Sequence, residues 1–507
     1  MKEIYADDGT LLEEPSIPSI TEVLQLSGLG YKLDIGHSDH TVSSVLESFR
    51  QTEIDISVYT CDSWADDPRF ELARTLIEDI FFEFDFKDIV PRHGPGSVAT
   101  GESGVEKWEF RRKYDAIHQC YPYYEYFVVN SDSLLDRLSW YKSLEPLKEG
   151  TAKVVLVPKD SRGPRIISME PLEYQYIQQG LWLGMKNLFQ THRFTRRHVN
   201  FTDQTINQRF ALQGSIDGSY ATLDMKDASD RVSLALVSAL FSGMPELLRH
   251  LLACRTPRTT LPDTGELELH KFAPMGSALC FPIESIVHYV LAVASIMMST
   301  DLSRWQAREC VYVYGDDLIV RSQYADVVIE AFPMYGLQFN MGKCFTSGPF
   351  RESCGVDAYK GQIVTPIRWR KPWSDRLTAV SLQAFCDCAQ QFYLRGYCRV
   401  ANLIWDSIEA QLGKLPVVPV DMCPSYLARR SRFQRVYTPH KVRYNLNHQS
   451  YEHRSIQLSF RRSERAMPGW SRCLKFLLTL SGAADEVSSF FTLKRKWTRI
   501  LDEGVRG

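Results

Sequence analysis

VYVYGDDLIV, residues 311–320, sets two adjacent acids between two apolar runs. Residues 311–314 and 318–320 read as strands, and the Gly-Asp pair between them is the turn chemistry of a tight β-hairpin. The hairpin accounts for Gly315 and Asp316. It does not account for Asp317, which stands where the second strand begins and where an acid is disfavoured. Neighbouring carboxylates repel unless a cation neutralises them, so the pair points to a divalent metal. On this stretch alone a solvated acidic turn is the other reading.

A second acidic cluster lies upstream. SYATLDMKDASDRVSLALVSALF, residues 219–241, reads as a short strand through Thr222 and Leu223, a loop, then an amphipathic helix. Asp230 precedes that helix in the position of an N-cap, a role worth about 1 kcal/mol. Asp227 either approaches a metal or faces solvent. Asp224 ends the strand, where a structural reading suits it poorly, and this suggests that its strand lies beside the acidic hairpin. Asp224, Asp316 and Asp317 could then hold two Mg2+ ions about 3.5–4 Å apart, the spacing used for in-line phosphoryl or nucleotidyl displacement. Oxygen-only ligands favour magnesium, with Mn2+ as a substitute, over zinc. KVVLVPKDSRGPRIISMEP, residues 153–171, adds Lys159, Arg162 and Arg165 around a Gly-Pro turn, a layout that presents several cations to one phosphate chain.

Around these stretches the chain alternates helix and strand signals. A helix is expected near residues 181–189, a hairpin at 263–265, a helix after PMGSALCFP and another near 325–335. The order implies an α+β layer with helices on one sheet face. PRHGPGSVATG, residues 91–101, marks a boundary loop.

Composition sets outer limits. With 507 residues, 44% hydrophobic, 24% charged and a net charge of −2, the chain is a large globular protein. The N-terminus has no basic start followed by an apolar run, so no signal peptide is expected. The longest apolar stretch, residues 286–298, contains His288 and reads as too short to span a bilayer, so no membrane partner is expected. Twelve cysteines lack zinc-ligand spacing and read as reduced thiols. Charge is uneven: residues 1–90 hold 20 Asp/Glu against 6 Lys/Arg, and residues 421–480 hold 12 Lys/Arg against 3 Asp/Glu. Within the basic part, SYLARRSRFQRVYTPHKVRYN, residues 425–445, interleaves cations with Tyr426, Phe433, Tyr437 and Tyr444. It reads either as a single-stranded nucleic-acid surface or as a solvated basic face with its aromatics in the core.

Taken together, the motifs resemble the RNA-directed RNA polymerase, or replicase β subunit, of the small single-stranded RNA bacteriophages. ATLDMKDASDRVS resembles the first palm motif, VYVYGDDLIV the palm hairpin, and MGSALCFPIES the template and sugar-sensing loop. GLQFNMGKCF and GPFRESCG resemble the two motifs that follow, and VPKDSRGPRIISMEP the fingers motif that contacts nucleotide phosphates. The resemblance implies a right-handed polymerase with an antiparallel palm sheet packed on helices. An acidic region at 1–95 would precede fingers at 96–215, a palm at 216–362 and a thumb with the basic C-terminal region at 363–507. It also implies Asp230 near the incoming ribose and Lys343 as proton donor to pyrophosphate, although Lys343 also reads as a surface lysine. Ser277 would hydrogen-bond the ribose or Asp230, or would only cap the following helix. Glu284 stands where many viral polymerases carry Asn and Cys280 where Thr is usual; phage replicases share the Glu. The implied partners are a single-stranded RNA template, NTPs, host elongation factors Tu and Ts and a small-subunit ribosomal protein, in the cytoplasm of an infected bacterial host. A reverse transcriptase and a non-catalytic RNA-binding protein are the alternatives, separated by an NTP-against-dNTP comparison and by turnover.

Overall fold

The computed structural model describes residues 2–130, 135–374, 377–420, 426–432, 442–461, 469–479 and 490–499. At its centre is a four-stranded antiparallel sheet in the order Gln338–Phe339, Tyr220–Lys226, Asp317–Arg321, Val311–Tyr314. The acidic hairpin is formed by its last two strands, with Tyr314 opposite Asp317 and a two-residue loop of Gly315 and Asp316. Strand alternation sorts the side chains between two faces. Ala221, Leu223, Leu318 and Val320 enter the main core, whereas Tyr220, Tyr312 and Ile319 pack with Phe210 on the opposite face.

Helices therefore cover both faces, not one. Cys280–Ser299 lies under the main-core face and Thr205–Asp217 under the other. The sequence concealed this because Thr205–Asp217 is nearly as polar as apolar and buries only a short stripe led by Phe210. Cys280–Ser299 is also longer than the apolar run at 286–298 suggested. Its 20 residues suffice by length and composition to cross a membrane. In this fold they are enclosed by Pro68–Phe81, Val311–Tyr314 and Ala325–Ala331, and every residue from Cys280 to Ile296 is buried except Phe281. A helix apolar all round belongs in such a core.

A second sheet carries the basic turn. Thr151–Asp160 and Gly163–Met169 form its hairpin, and Arg258–Leu261 with Gly265–Glu268 completes it through a parallel pairing of Thr151 with Arg258. The ladder slips between Val157 and Asp160, where Pro158 and Lys159 oppose the single residue Pro164. Neither proline donates a ladder hydrogen bond, so a bulge forms there and re-aims the flanking side chains. The helix Asp39–Ile56, the second in the chain, capped by Ser38 on Thr41 N–H, packs on this hairpin and on the short helix Ala228–Arg231.

The C-terminal part has its own core, in which Ala379–Leu394 and Cys398–Leu412 pair around Trp405. Beside them lies an antiparallel sheet of Val442–Asn445, Ser450–Arg461 and Phe490–Arg499. Its basic stretch is partly consumed by the fold. Arg429 ion-pairs with Asp406 and, at 2.8 Å, with Glu409; Arg443 lies 2.8 Å from Glu452; Tyr426 is buried beside Val418 and Ala428. Tyr444 stays half-exposed against Tyr451. Phe433, Arg435, Tyr437 and Lys441 lie outside the described residues. Every described cysteine is a free thiol.

Candidate active site

Asp224 and Asp317 are direct partners across the antiparallel ladder. The Met225 N–H donates to Asp316 O at 3.4 Å, which makes Asp224 and Asp317 a non-hydrogen-bonded pair. In such pairs the Cα atoms stand about 4.5 Å apart and the side chains are close. Asp316 occupies the hairpin tip. Gly315 before it has φ 64°, and a Cβ there would collide with the Phe281 ring, so only glycine fits the turn. The sequence thus brings two acids face to face and a third beside them.

Their surroundings disfavour charge. Burial, with added repulsion from Asp316 and Glu352, pushes the Asp224 carboxyl up to about 6, against the opposing pull of Lys343 and Asn340. Burial, then Asp316 and Asp224, pushes Asp317 up to about 7. Asn340 fixes Asp224 twice: its backbone N–H donates to Asp224 O at 2.9 Å and its Nδ2 to Asp224 Oδ2 at 3.2 Å. Lys343, one turn on, places Nζ 3.8 Å from Asp224 Oδ2 and 3.5 Å from Glu352 Oε1. Burial works against its charge, but Glu352 and Asp224 outweigh it and raise its pKa. A second tight hairpin, with Cys354 at φ 47° and Gly355 at φ 75°, aims the Cys354 N–H at Asp317 Oδ2, 3.1 Å away.

Among the described residues no three His, Cys, Asp or Glu side chains are gathered as a ready metal cluster. The chemistry of the acidic pair nevertheless fits a hard divalent cation. Two carboxylates forced together and pushed toward protonation leave a deficit of positive charge, and their donors are all oxygen.

Lys159, Arg162 and Arg165 are exposed on the neighbouring hairpin. Arg162 is partly spent on Asp160, with Nη2 2.9 Å from Oδ2 and Nε 3.2 Å from Oδ1. Although Lys159 as a residue is exposed, partial desolvation of its ammonium end, then the neighbouring cations Arg165 and Arg162, lowers its pKa, while Asp160 and Asp316 pull it back. Asp224 likewise acts on Arg162. The basic turn and the acidic pair therefore lie within electrostatic reach of each other.

Asp230 is not an N-cap. It lies inside the short helix Ala228–Arg231, and the next helix, Leu234–Leu240, is capped by Ser233, whose hydroxyl accepts the Leu236 N–H. Asp230 instead accepts from Lys271 Nζ at 2.6 Å. Asp227 is exposed, at φ 51°, a left-handed conformation that Asp tolerates. Ser277 is buried, and its hydroxyl accepts the Leu279 N–H at 3.3 Å. Glu284 is buried between the fields of Asp316 and Asp230, and burial first, then those two acids, raises its pKa well above the usual range. Asn340, Glu352, Lys271 and Glu53 went unread in the sequence. Asn340 and Glu352 carried a local signal, since they flank Lys343 in the two stretches after the acidic hairpin.

A family described as RNA replicase, beta-chain, matches residues 107–383, more than half of the chain, and the chain belongs to that family. The RNA-directed RNA polymerase subunit beta of Escherichia virus Qbeta is 37% identical over 215 residues, 42% of this chain and 34% of the relative. The RNA-directed RNA polymerase beta chain of Escherichia phage MS2 is 36% identical over 229 residues, 45% of this chain and 39% of the relative. The subunit beta of Enterobacteria phage SP is 29% identical over 315 residues, 61% of this chain and 51% of the relative. The matched part thus spans between 34% and 51% of the length of these three relatives.

Proposed function

We propose that this chain is the catalytic subunit of an RNA-directed RNA polymerase that copies a single-stranded viral RNA by nucleotidyl transfer. Its family and the names of its relatives support the activity. The observation that carries the mechanism is the facing pair Asp224 and Asp317 with Asp316 at the adjoining tip.

In this reading Asp224, Asp316 and Asp317 hold two Mg2+ ions, or Mn2+ in their place. When bound, such ions make a 3′-hydroxyl a stronger nucleophile and offset charge on the triphosphate. Lys159 and Arg165 bind the triphosphate, and Arg162 contributes less because Asp160 shares its charge. Lys343, kept protonated by Glu352 and Asp224, donates its proton to the departing pyrophosphate. Asp230 and Ser277 receive the ribose. Fingers at 96–215, palm at 216–362 and thumb at 363–507 surround the template, with the acidic region at 1–95 as a docking surface. Host elongation factors Tu and Ts and a small-subunit ribosomal protein complete the enzyme in the infected bacterial cytoplasm.

The test is incorporation of labelled NTPs on a C-rich RNA template with magnesium, with and without bacterial lysate depleted of nucleic acid, beside a dNTP control. Incorporation of NTPs supports the reading. RNA binding without incorporation in any arm, or preference for dNTPs, removes it.

A further inference from the structure

Behind the acidic strand a buried triad joins the N-terminal acidic region to Asp230. The Lys271 side chain is 0% exposed, with Nζ 2.6 Å from Asp230 Oδ1, 2.9 Å from Glu53 Oε1 and 3.7 Å from the centre of the Phe49 ring. Glu53 is itself fixed, because its Oε2 accepts the backbone N–H of His270 at 2.6 Å and of Lys271 at 3.3 Å. Two residues on, Asp55 lies 3.1 Å from Arg231, the neighbour of Asp230. One end of the helix Asp39–Ile56 therefore holds Arg231 directly and Asp230 through Lys271, two successive residues of the turn that leaves the acidic strand.

Stability does not explain such a triad. Burying three charges costs desolvation that their attraction only partly returns, and an apolar trio of similar volume commonly serves the fold as well. What it supplies is placement. Asp230 is its one member open to solvent, 25% exposed against 0% for Lys271 and 3% for Glu53. Asp230 stands six residues after Asp224 on the short helix Ala228–Arg231, which packs on Cys280–Ser299, the helix whose Phe281 and His288 lie against Gly315 at the hairpin tip. With one oxygen held by Lys271, the acceptor left over points in a set direction. A fixed acceptor of this kind rejects an analogue lacking the matching hydroxyl, because the acceptor is then left unpaired.

We propose that Lys271 and Glu53 are positioning residues that hold Asp230 against the sugar of the incoming ribonucleoside triphosphate and thereby set discrimination against deoxyribose. The proposal rests on the polymerase reading above. It also gives the acidic N-terminal region a part in nucleotide selection through Glu53.

The experiment uses the full chain with depleted lysate and measures kcat and KM for an NTP and the matching 2′-dNTP. Wild type is compared with Lys271→Met and with the double variant Glu53→Gln/Lys271→Met, which removes both charges and keeps the volume. In the folded variants the NTP-to-dNTP ratio of kcat/KM falls at least about 10-fold, through a higher KM for the NTP, while kcat falls less than about 3-fold. A folded variant with the wild-type ratio, or one that loses both sugars equally, overturns the positioning role and leaves the polymerase reading standing. Failure of both variants to melt cooperatively also overturns it, because the triad is then a stability element. Wild type that incorporates no NTP removes both readings.

Discussion

Asp317 faces Asp224 across the ladder while its Oδ2 accepts the Cys354 N–H at 3.1 Å, so one backbone hydrogen bond is set against the repulsion of two neighbouring acids. Burial first, then repulsion, wins and pushes the carboxyl up to about 7. A folded-state pKa raised above the unfolded value adds stability that is complete below the unfolded pKa and lost as pH rises through the folded one. For Asp317 that window runs from the ordinary carboxylate range up to about 7. Asp317→Asn carries no such loss. In EDTA the variant gains on wild type between pH 4 and pH 8, by on the order of 4 kcal/mol, measured by urea unfolding across that range. A difference independent of pH contradicts the account.

Magnesium adds a second arm to that measurement. Protons compete with a cation for raised carboxylates, so magnesium stabilises wild type more at pH 8 than at pH 5. Asp317→Asn loses most of that pH-dependent gain. Equal magnesium effects in the two proteins at every pH remove Asp317 from the ligand set.

Lys343 lies between Asp224 and Glu352 with its charge reinforced. Lys343→Ala lowers kcat about 100-fold, the lower end of general acid contributions, without abolishing synthesis. Single-turnover kinetics reads this. A change confined to KM assigns Lys343 to binding instead.

Gly315→Ala places a Cβ at φ 64° and into the Phe281 ring. The cost is about 1–3 kcal/mol of strain at the turn that carries Asp316. Thermal melting falls and incorporation falls with it. An alanine variant with wild-type melting and activity shows that the turn relaxes without moving Asp316.

Arg351 is fully buried and donates to four carbonyls, Tyr220 O at 2.5 Å, Ser347 O at 3.1 Å, Gly348 O at 2.8 Å and Phe350 O at 2.7 Å. It pins the strand Phe350–Ser353 to the start of the acidic strand. Arg351→Met leaves those carbonyls unpaired and destabilises by on the order of 3 kcal/mol, read by urea unfolding. A loss below about 0.5 kcal/mol, the usual effect of an unremarkable surface change, contradicts the anchoring role.

Local chemistry explains what was legible in the sequence. The Gly315-Asp316 turn, the strand through Asp224 and the Asp263 to Gly265 hairpin obey short-range rules, and the structure has each of them, although the strand does not end at Asp224 but runs to Lys226, where it pairs with Gln338–Phe339. The N-cap reading of Asp230 failed on the same scale, because Ser233 is an equally good cap three residues later and Lys271 competes for the acid. Long-range pairing was illegible. Glu53 meets Lys271 across 218 positions, and no periodicity in either stretch announces it. Arg429 looked available for phosphate but is held by Asp406 and Glu409 from a helix whose apolar stripe gave no hint of those acids facing it.

The most direct measurement is NTP incorporation on a C-rich RNA template with magnesium and depleted lysate, comparing wild type with Asp316→Asn. The variant melts like wild type, binds RNA like wild type, and incorporates several orders of magnitude less. Near-normal synthesis by Asp316→Asn contradicts the assignment of the paired carboxylates as the catalytic centre.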